Sequence, residues 1–364
     1  MKVVLAYPAE YDKGEGIHLR AAFSQNRHEV IAVNHVSEVR SSLDAYASVL
    51  VFRPDTTFED VLEKAPGAKL FVYVEPLGLL PRGLERSPIP TACVISDVHR
   101  NLKARRLLAR LFDHVFLYQR NYLEAFDEHP SGAVSWSPWA CNPTPAPSIQ
   151  ERDLDVAFIG QLWGAGSERR RILGYLSEKY RVNELRAYEQ SEIPQVYGRA
   201  RVVINLPLSD DLNWRTFEAL GSGALLCTRR QRNGLDLLFE EGTHYVGFDS
   251  NEELFQRVEY YLNHESKRAT IAAAGQAEAL ARHTWSHRAE AMLKAVAEGP
   301  PNSAPVRRMR PASVVKTYAA IYERSGWIEA LMRMAATERE RPVLRSQLLA
   351  MGLKSFCRRA VLKW

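Results

Sequence analysis

Two apolar runs, Arg201–Leu206 and Ala224–Thr228, flank a polar loop and a helical pattern that begins near Arg215. Strand, helix and strand in that order make a βαβ unit with parallel strands and a right-handed crossover. This places the start of the helix at the C-terminal edge of a parallel sheet, the edge where open α/β sheets take ligands. Asn213 leads into the helix, and free amides are expected at Thr216 and Phe217. With the positive end of the helix dipole they favour an anion. Arg215 adds a planar cationic fork that matches phosphate oxygens. Glu218, about one turn in, is placed to accept hydrogen bonds from a sugar diol. A phosphate clamp beside a diol acceptor is what a nucleotide's ribose-diphosphate requires. The plainer reading of the same residues is a first-turn acid complementing the dipole and a solvated arginine.

The chain has 364 residues, more than one hydrophobic core comfortably serves, so two domains are expected. Residues 1–140 alternate strands (Val3–Tyr7, Glu29–Val33, Ser48–Phe52, Leu70–Val74, Thr91–Ser96, His114–Tyr118) with helical patterns (Ile17–Gln25, Phe58–Lys64, Leu102–Phe112). That is a doubly wound parallel sheet. The loop Asp12–Gly16 follows the first strand, but Leu19 stands where a dinucleotide fingerprint needs its third glycine, so no nicotinamide cofactor is expected. Glu75 and the Ser96–Arg100 segment both follow strands and so fall at the same edge. His99 is the versatile group there. Asp97 is either a general base or a helix cap.

Asn142–Ser148 is proline-rich and reads as a semi-rigid linker before a new strand, Leu154–Gly160. Gly299–Pro305 is a second breaker, followed by helical patterns at Ser313–Arg324, Gly326–Ala336 and Val343–Val361. Residues 301–364 hold thirteen Lys or Arg against four Asp or Glu, whereas the whole chain carries +5, so the basic charge is local to this tail. Such a tail is either a solvated helical layer packed on the N-terminal domain or a contact for anionic lipid. No nucleic-acid motif is present. No stretch is apolar enough to span a membrane, and the start lacks a signal-peptide pattern. Four widely spaced cysteines show no pairing or metal pattern, so a cytoplasmic protein is expected, with peripheral contact at the inner membrane face through the tail.

Glu218–Ala224 (Glu-Ala-Leu-Gly-Ser-Gly-Ala) resembles the Glu-Ala-Leu-Ala-x-Gly segment of the group 1 glycosyltransferases, which have the GT-B fold. Gly234–Gly242, Asn251–Leu254 and His283–His287 resemble that family's following segments. The form Asn-x-Arg-x-Phe-Glu is similar to its spore-maturation-protein-like branch. Phe112–Phe116, Gln119–Tyr122 and Val134–Pro143 resemble the same branch's N-terminal domain, although Trp139 departs from the pattern.

The resemblance implies an α/β GT-B chain: two Rossmann-like domains facing across a cleft, with a C-terminal helical extension. The expected divisions are an acceptor-side domain 1–142, a linker 143–153, a nucleotide-sugar domain 154–298 and a basic extension 306–364 packing back on the first domain. It further implies that Glu218 holds the ribose and that Asn213, Arg215, Thr216 and Phe217 hold the diphosphate. The loop at Gly160 joins them, but Gln161 stands where the family usually has arginine. The basic contribution must therefore come from Arg169, Arg170 or Arg171, with Arg170 taken as the candidate. Gly14, Gly16 and Glu75 fall on the acceptor or sugar side. His99, Asp97 and Asp210 are catalytic candidates, Asp210 standing eight positions before Glu218 as the shorter counterpart of a family glutamate. Asp211 is its rival.

The implied activity is transfer of a hexosyl group from a nucleotide-diphosphate sugar to a glycan, lipid-linked or protein acceptor, with retention. Protein donors would neutralise the diphosphate, so neither a metal nor a cofactor beyond the nucleotide-sugar is expected. A sugar-nucleotide epimerase of the same fold and a non-catalytic nucleotide-sugar-binding protein are the alternatives. Product analysis without an acceptor separates the epimerase from a transferase, and binding without turnover across an acceptor panel marks the non-catalytic protein.

Overall fold

The computed structural model describes residues 1–8, 14–35, 49–143, 152–162, 166–208 and 210–361. Asp12 and Lys13 of the glycine loop, Thr144–Ser148 of the proline-rich segment, Trp163–Ala165 and Ser209 lie outside them. The chain forms two compact units, residues 1–137 with 289–364, and residues 138–288.

The first unit is built on seven strands: β1 (Lys2–Ala6), β2 (Glu29–Asn34), β3 (Leu50–Val51), β4 (Leu70–Val74), β5 (Thr91–Ile95), β6 (His114–Leu117) and β7 (Val134–Trp136). They lie in the order β3-β2-β1-β4-β5-β6-β7, and every pairing is parallel. Val3–Ala6, Leu70–Val74 and Thr91–Ile95 are buried throughout, which is why they read as unbroken apolar runs rather than alternating ones. Of the strand expected over Ser48–Phe52, Ser48 lies outside the described residues and Leu50–Val51 forms a sheet edge with one described neighbour.

Helix α1 (Glu15–Gln25) starts two residues before its apolar pattern, so Glu15 and Gly16 belong to its first turn and not to a loop. A Cβ on Gly16 would lie 2.5 Å from the Tyr7 Cβ, so only glycine lets this turn approach β1. Helix α2 (Phe58–Lys64) begins with a reciprocal capping box between Thr57 and Asp60. The Asn101 side chain caps α3 (Leu102–Ala109).

The second unit carries β8 (Leu154–Ala157), β9 (Ala200–Asn205), β10 (Leu225–Arg229) and β11 (Val246–Phe248), parallel, in the order β11-β10-β9-β8. Its helices are α4 (Gly166–Lys179), α5 (Ile193–Arg199), α6 (Trp214–Gly221), α7 (Asn251–Asn263) and α8 (Glu265–Arg282). The strand expected to reach Gly160 stops at Ala157, because Phe158 leaves the ladder to bond the Asn183 amide side chain instead.

Helix α9 (Trp285–Glu298) leads back to the first unit, followed by α10 (Pro311–Ser325), α11 (Ile328–Thr337) and α12 (Pro342–Val361). Tyr318, Ile321, Tyr322, Leu331 and Leu348 join the same buried cluster as Phe71, Leu84 and Leu108. The Tyr322 hydroxyl meets the Leu80 backbone at 3.2 Å. Arg307 pairs with Asp113 at 3.0 Å, and Asp113 also accepts from the backbone amides of Thr91 and Ala304. Burial alone would raise the Asp113 carboxyl, but Arg307 and these amides hold it below its ordinary value. The tail is therefore structural core of the first unit along one face. No helix among the described residues is long and apolar enough to cross a membrane.

Candidate functional site

In the second unit the C-terminal ends of β9 and β10 and the start of α6 are tied together by Asn205. This fully buried side chain donates to Thr216 and Thr228 hydroxyls at 3.2 Å each. It accepts from Asn213 at 3.0 Å and from Arg215 at 2.7 Å. Arg215 also donates to the Ile159 carbonyl at 2.7 Å and lies 4.5 Å over the Phe158 ring. A Cβ on Gly160 would fall 2.1 Å from the Arg215 guanidinium, so Gly160 leaves the room this arginine occupies.

Of the three-arginine run, Arg169 is the buried one, while Arg170 and Arg171 are exposed on the outer side of α4. The periodicity of a helix turns only one member of such a run inward. Arg169 donates to the Gln161 carbonyl at 2.7 Å and to the Leu206 carbonyl, and lies 5.6 Å over Phe158. Burial lowers its pKa to about 10, and the neighbouring charges of Arg215 and Arg229 push the same way. A buried arginine crowded by neighbouring cations makes a place where a bound anion is favoured.

The other half of the site is a shallow, open pocket lined by Cys141, Asn142, Gln190, Pro194, Trp214, Glu218, Gly221 and Ser222. Half-buried Glu218 accepts from the Gln190 amide at 2.7 Å. Burial raises its pKa to about 7, against the opposing pull of Gln190 and Arg215. Trp214 forms one wall. Trp139 stacks on it at 5.1 Å and 10°, with Trp285 edge-on to both, which gives the Trp139 departure a structural reason.

The remaining expected residues fall as follows. The Thr216 amide is not free, since it donates to the Asn213 carbonyl at 3.2 Å. Thr216 and Phe217 are fully buried, so neither side chain faces a ligand. Asn213 caps α6 by position only, its side chain being spent on Asn205. Asp210 is exposed and accepts from the Arg232 amide at 2.7 Å, which fixes the loop after β10. Asp153 and Asp155, at Asp-x-Asp spacing, stand at the start of β8, away from the ligand edge, in ion pairs with Arg199 and Arg201. No group of three or more metal-ligating side chains occurs among the described residues.

The first unit has its own polar edge. Glu75, just past β4, is buried, paired with Arg105 at 2.9 Å and bonded by the Ser96 amide at 3.0 Å. Burial raises its pKa even against Arg105. Glu15, in the first turn of α1, is buried with one carboxylate oxygen lacking a hydrogen bond. Burial lifts its pKa to about 7; its own backbone amide and Ser96 lower it, and Glu75 and Asp97 raise it further. Asp97 pairs with Arg100 at 3.0 Å and makes no side-chain cap, and His99 is exposed in the same turn. Gly14 is the residue before α1, in extended backbone.

Glu15, Gln190, Asn205 and the inward turn of Arg169 escaped sequence reasoning. Glu15 had a signal, being the acid set between the two glycines that follow β1. Gln190 had none.

Two parallel α/β sheets give the chain a GT-B-like fold. Residues 148–294 match the family model described as glycosyl transferase-like. Among curated proteins no sequence matches the chain. Among solved structures, an alpha-glucosyltransferase in complex with UDP-glucose and DNA containing an abasic site is 12% identical. It covers 82% of this chain and 100% of its own, with a TM-score of 0.60. Anabaena HepE in complex with UDP and glucose is 14% identical, covering 82% of this chain and 99% of its own at 0.59. Sucrose-phosphate synthase from Thermosynechococcus elongatus is 13% identical, covering 81% and 98% at 0.53. At these identities the likeness is one of fold.

Proposed function

We propose that the chain is a metal-independent hexosyltransferase that takes its sugar from a UDP-sugar held by the second unit. The carrying observation is the convergence, around one helix start, of the Glu218 carboxylate with the inward-turned Arg169 and Arg215. Glu218 takes the ribose hydroxyls, exchanging its bond to Gln190 for bonds to the diol. Arg169 and Arg215 face the diphosphate, whose negative charge grows as the glycosidic bond breaks, so fixed cations there stabilise the transition state. The uridine base is the reading favoured by the fold relatives solved with UDP or UDP-glucose.

On the first unit, Glu15 and Glu75 face the acceptor. A carboxyl that titrates near neutrality suits exchange of a proton with an acceptor hydroxyl. His99 and Asp97 border that edge, and Gly14 and Gly16 let backbone approach the acceptor. Asp210 acts on the loop and not on the sugar. Retention of configuration follows the resembled group 1 enzymes.

A thermal-shift screen against UDP-, GDP-, dTDP-, CMP- and ADP-sugars tests the proposal, because a ligand bound only to the native state stabilises it by about 2.7 kcal/mol at a hundred times its Kd. A UDP-sugar is expected to raise the midpoint most. No shift with any of the five overturns the reading.

A further inference from the structure

We infer that the outer face of α12 is a docking surface for an anionic lipid bilayer. The inner line of this helix, Leu344, Leu348, Gly352 and Ser355, is buried against the first unit. The rest of the helix surface is not covered, and it carries exposed apolar side chains: Val343 is 73% exposed, Leu353 64% and Phe356 61%. Met332 of α11, 43% exposed, adds to the patch where it lies against Gly352. Residues 341–364 contain six Lys or Arg and no Asp or Glu. Arg345 and Lys354 are exposed on the helix itself, Lys354 within 3.0 Å of Glu323.

An exposed apolar stripe flanked by cations, on a helix that cannot span a membrane, is the pattern of a helix lying in the lipid interface. Each basic residue held against an anionic surface is worth about fivefold in affinity. A second copy of the chain would bring two faces of like charge together, which opposes pairing. A nucleic acid would match the charge and leave Leu353 and Phe356 without a partner. Only an anionic bilayer takes both the charge and the apolar stripe. This inference does not depend on the UDP-sugar reading.

The test is co-sedimentation of the full chain with sucrose-loaded vesicles of equal phosphatidylglycerol and phosphatidylcholine, against phosphatidylcholine alone. Binding is expected with the mixed vesicles only, weakened by salt, and reduced about tenfold or more by Phe356→Glu or Leu353→Glu. Both side chains point into solvent, so the unfolding midpoint should hold. If either variant nonetheless unfolds, Arg345→Glu and the salt series on the wild-type chain decide. Equal binding to both vesicle types, or no binding to either, overturns the inference. So does undiminished binding by the folded variants. A dimer dissolved by Phe356→Glu without lipid binding would make the occupant a second copy instead.

Discussion

Each parallel sheet ends in a polar cluster at the C-terminal edge of its strands, and the two clusters carry opposite charge. The second unit gathers Arg169, Arg215 and Arg229 within electrostatic reach of one another. The first gathers Glu15, Glu75 and Asp97 around one internal cation, Arg105. The same topology therefore presents one edge suited to an anion and another suited to hydroxyl groups and protons. The difference lies in which residues follow the strands, not in the fold itself. Each edge is also held in its own way. Asn205 and Phe158 position the arginines through neutral contacts, whereas Glu75 is fixed by a buried ion pair.

The largest effect sharpens the contrast by disabling one unit alone. Asp113→Ala leaves the partly buried Arg307, and the amides of Thr91 and Ala304, without their carboxylate and should cost about 3 kcal/mol in the first unit. Denaturant unfolding should show that loss, while calorimetric affinity for UDP, measured where the protein is still folded, stays at the wild-type value. A fall in both would break the separation of the two sites.

The acidic edge is tested next by Glu15→Gln. Folded Glu15 titrates at about 7 against an ordinary 4.5, so the native state holds an extra proton between those values. The stability from that proton is full below 4.5 and lost as pH rises through 7. Gln removes the dependence, so the variant should exceed the wild type at pH 8 by up to about 3 kcal/mol and converge with it near pH 4.5. A constant difference across pH would mean that the carboxyl is not desolvated. Smaller again is Arg169→Ala, which removes a charge-assisted contact worth about 2 kcal/mol and should weaken UDP about thirtyfold by calorimetry. An equal loss from Arg170→Ala would show that the outer side of α4 carries the contact.

Much of the fold was legible because parallel strands buried on both faces leave unbroken apolar runs, and β1, β4, β5 and β6 fall where such runs stand. Short edge strands such as β3 left a weaker trace, having one neighbour and little burial. The place of Arg215 and Glu218 in the first turns of α6 was readable because a βαβ crossover fixes where its helix begins. Thr216 misled because the count of free amides in a first turn ignores the bond its amide makes to Asn213. Asn205 looked like an ordinary strand residue, and its four partners come from the start of α6 and from β10. Gln190 meets Glu218 only through the packing of α5 on α6. The Arg169–Arg171 run announced charge, but only the phase of α4 shows which member turns inward.

The most direct trial of the nucleotide site is a calorimetric titration of UDP-glucose into the wild-type chain and Glu218→Ala at pH 8, where the carboxyl is ionised. Loss of the proposed ribose acceptor should weaken binding at least about tenfold without lowering the thermal midpoint, since the desolvated charge leaves with the side chain and its partner Gln190 can turn to water. Unchanged affinity, or a drop in midpoint that accounts for the whole loss, would make Glu218 a helix-packing residue and contradict the assignment.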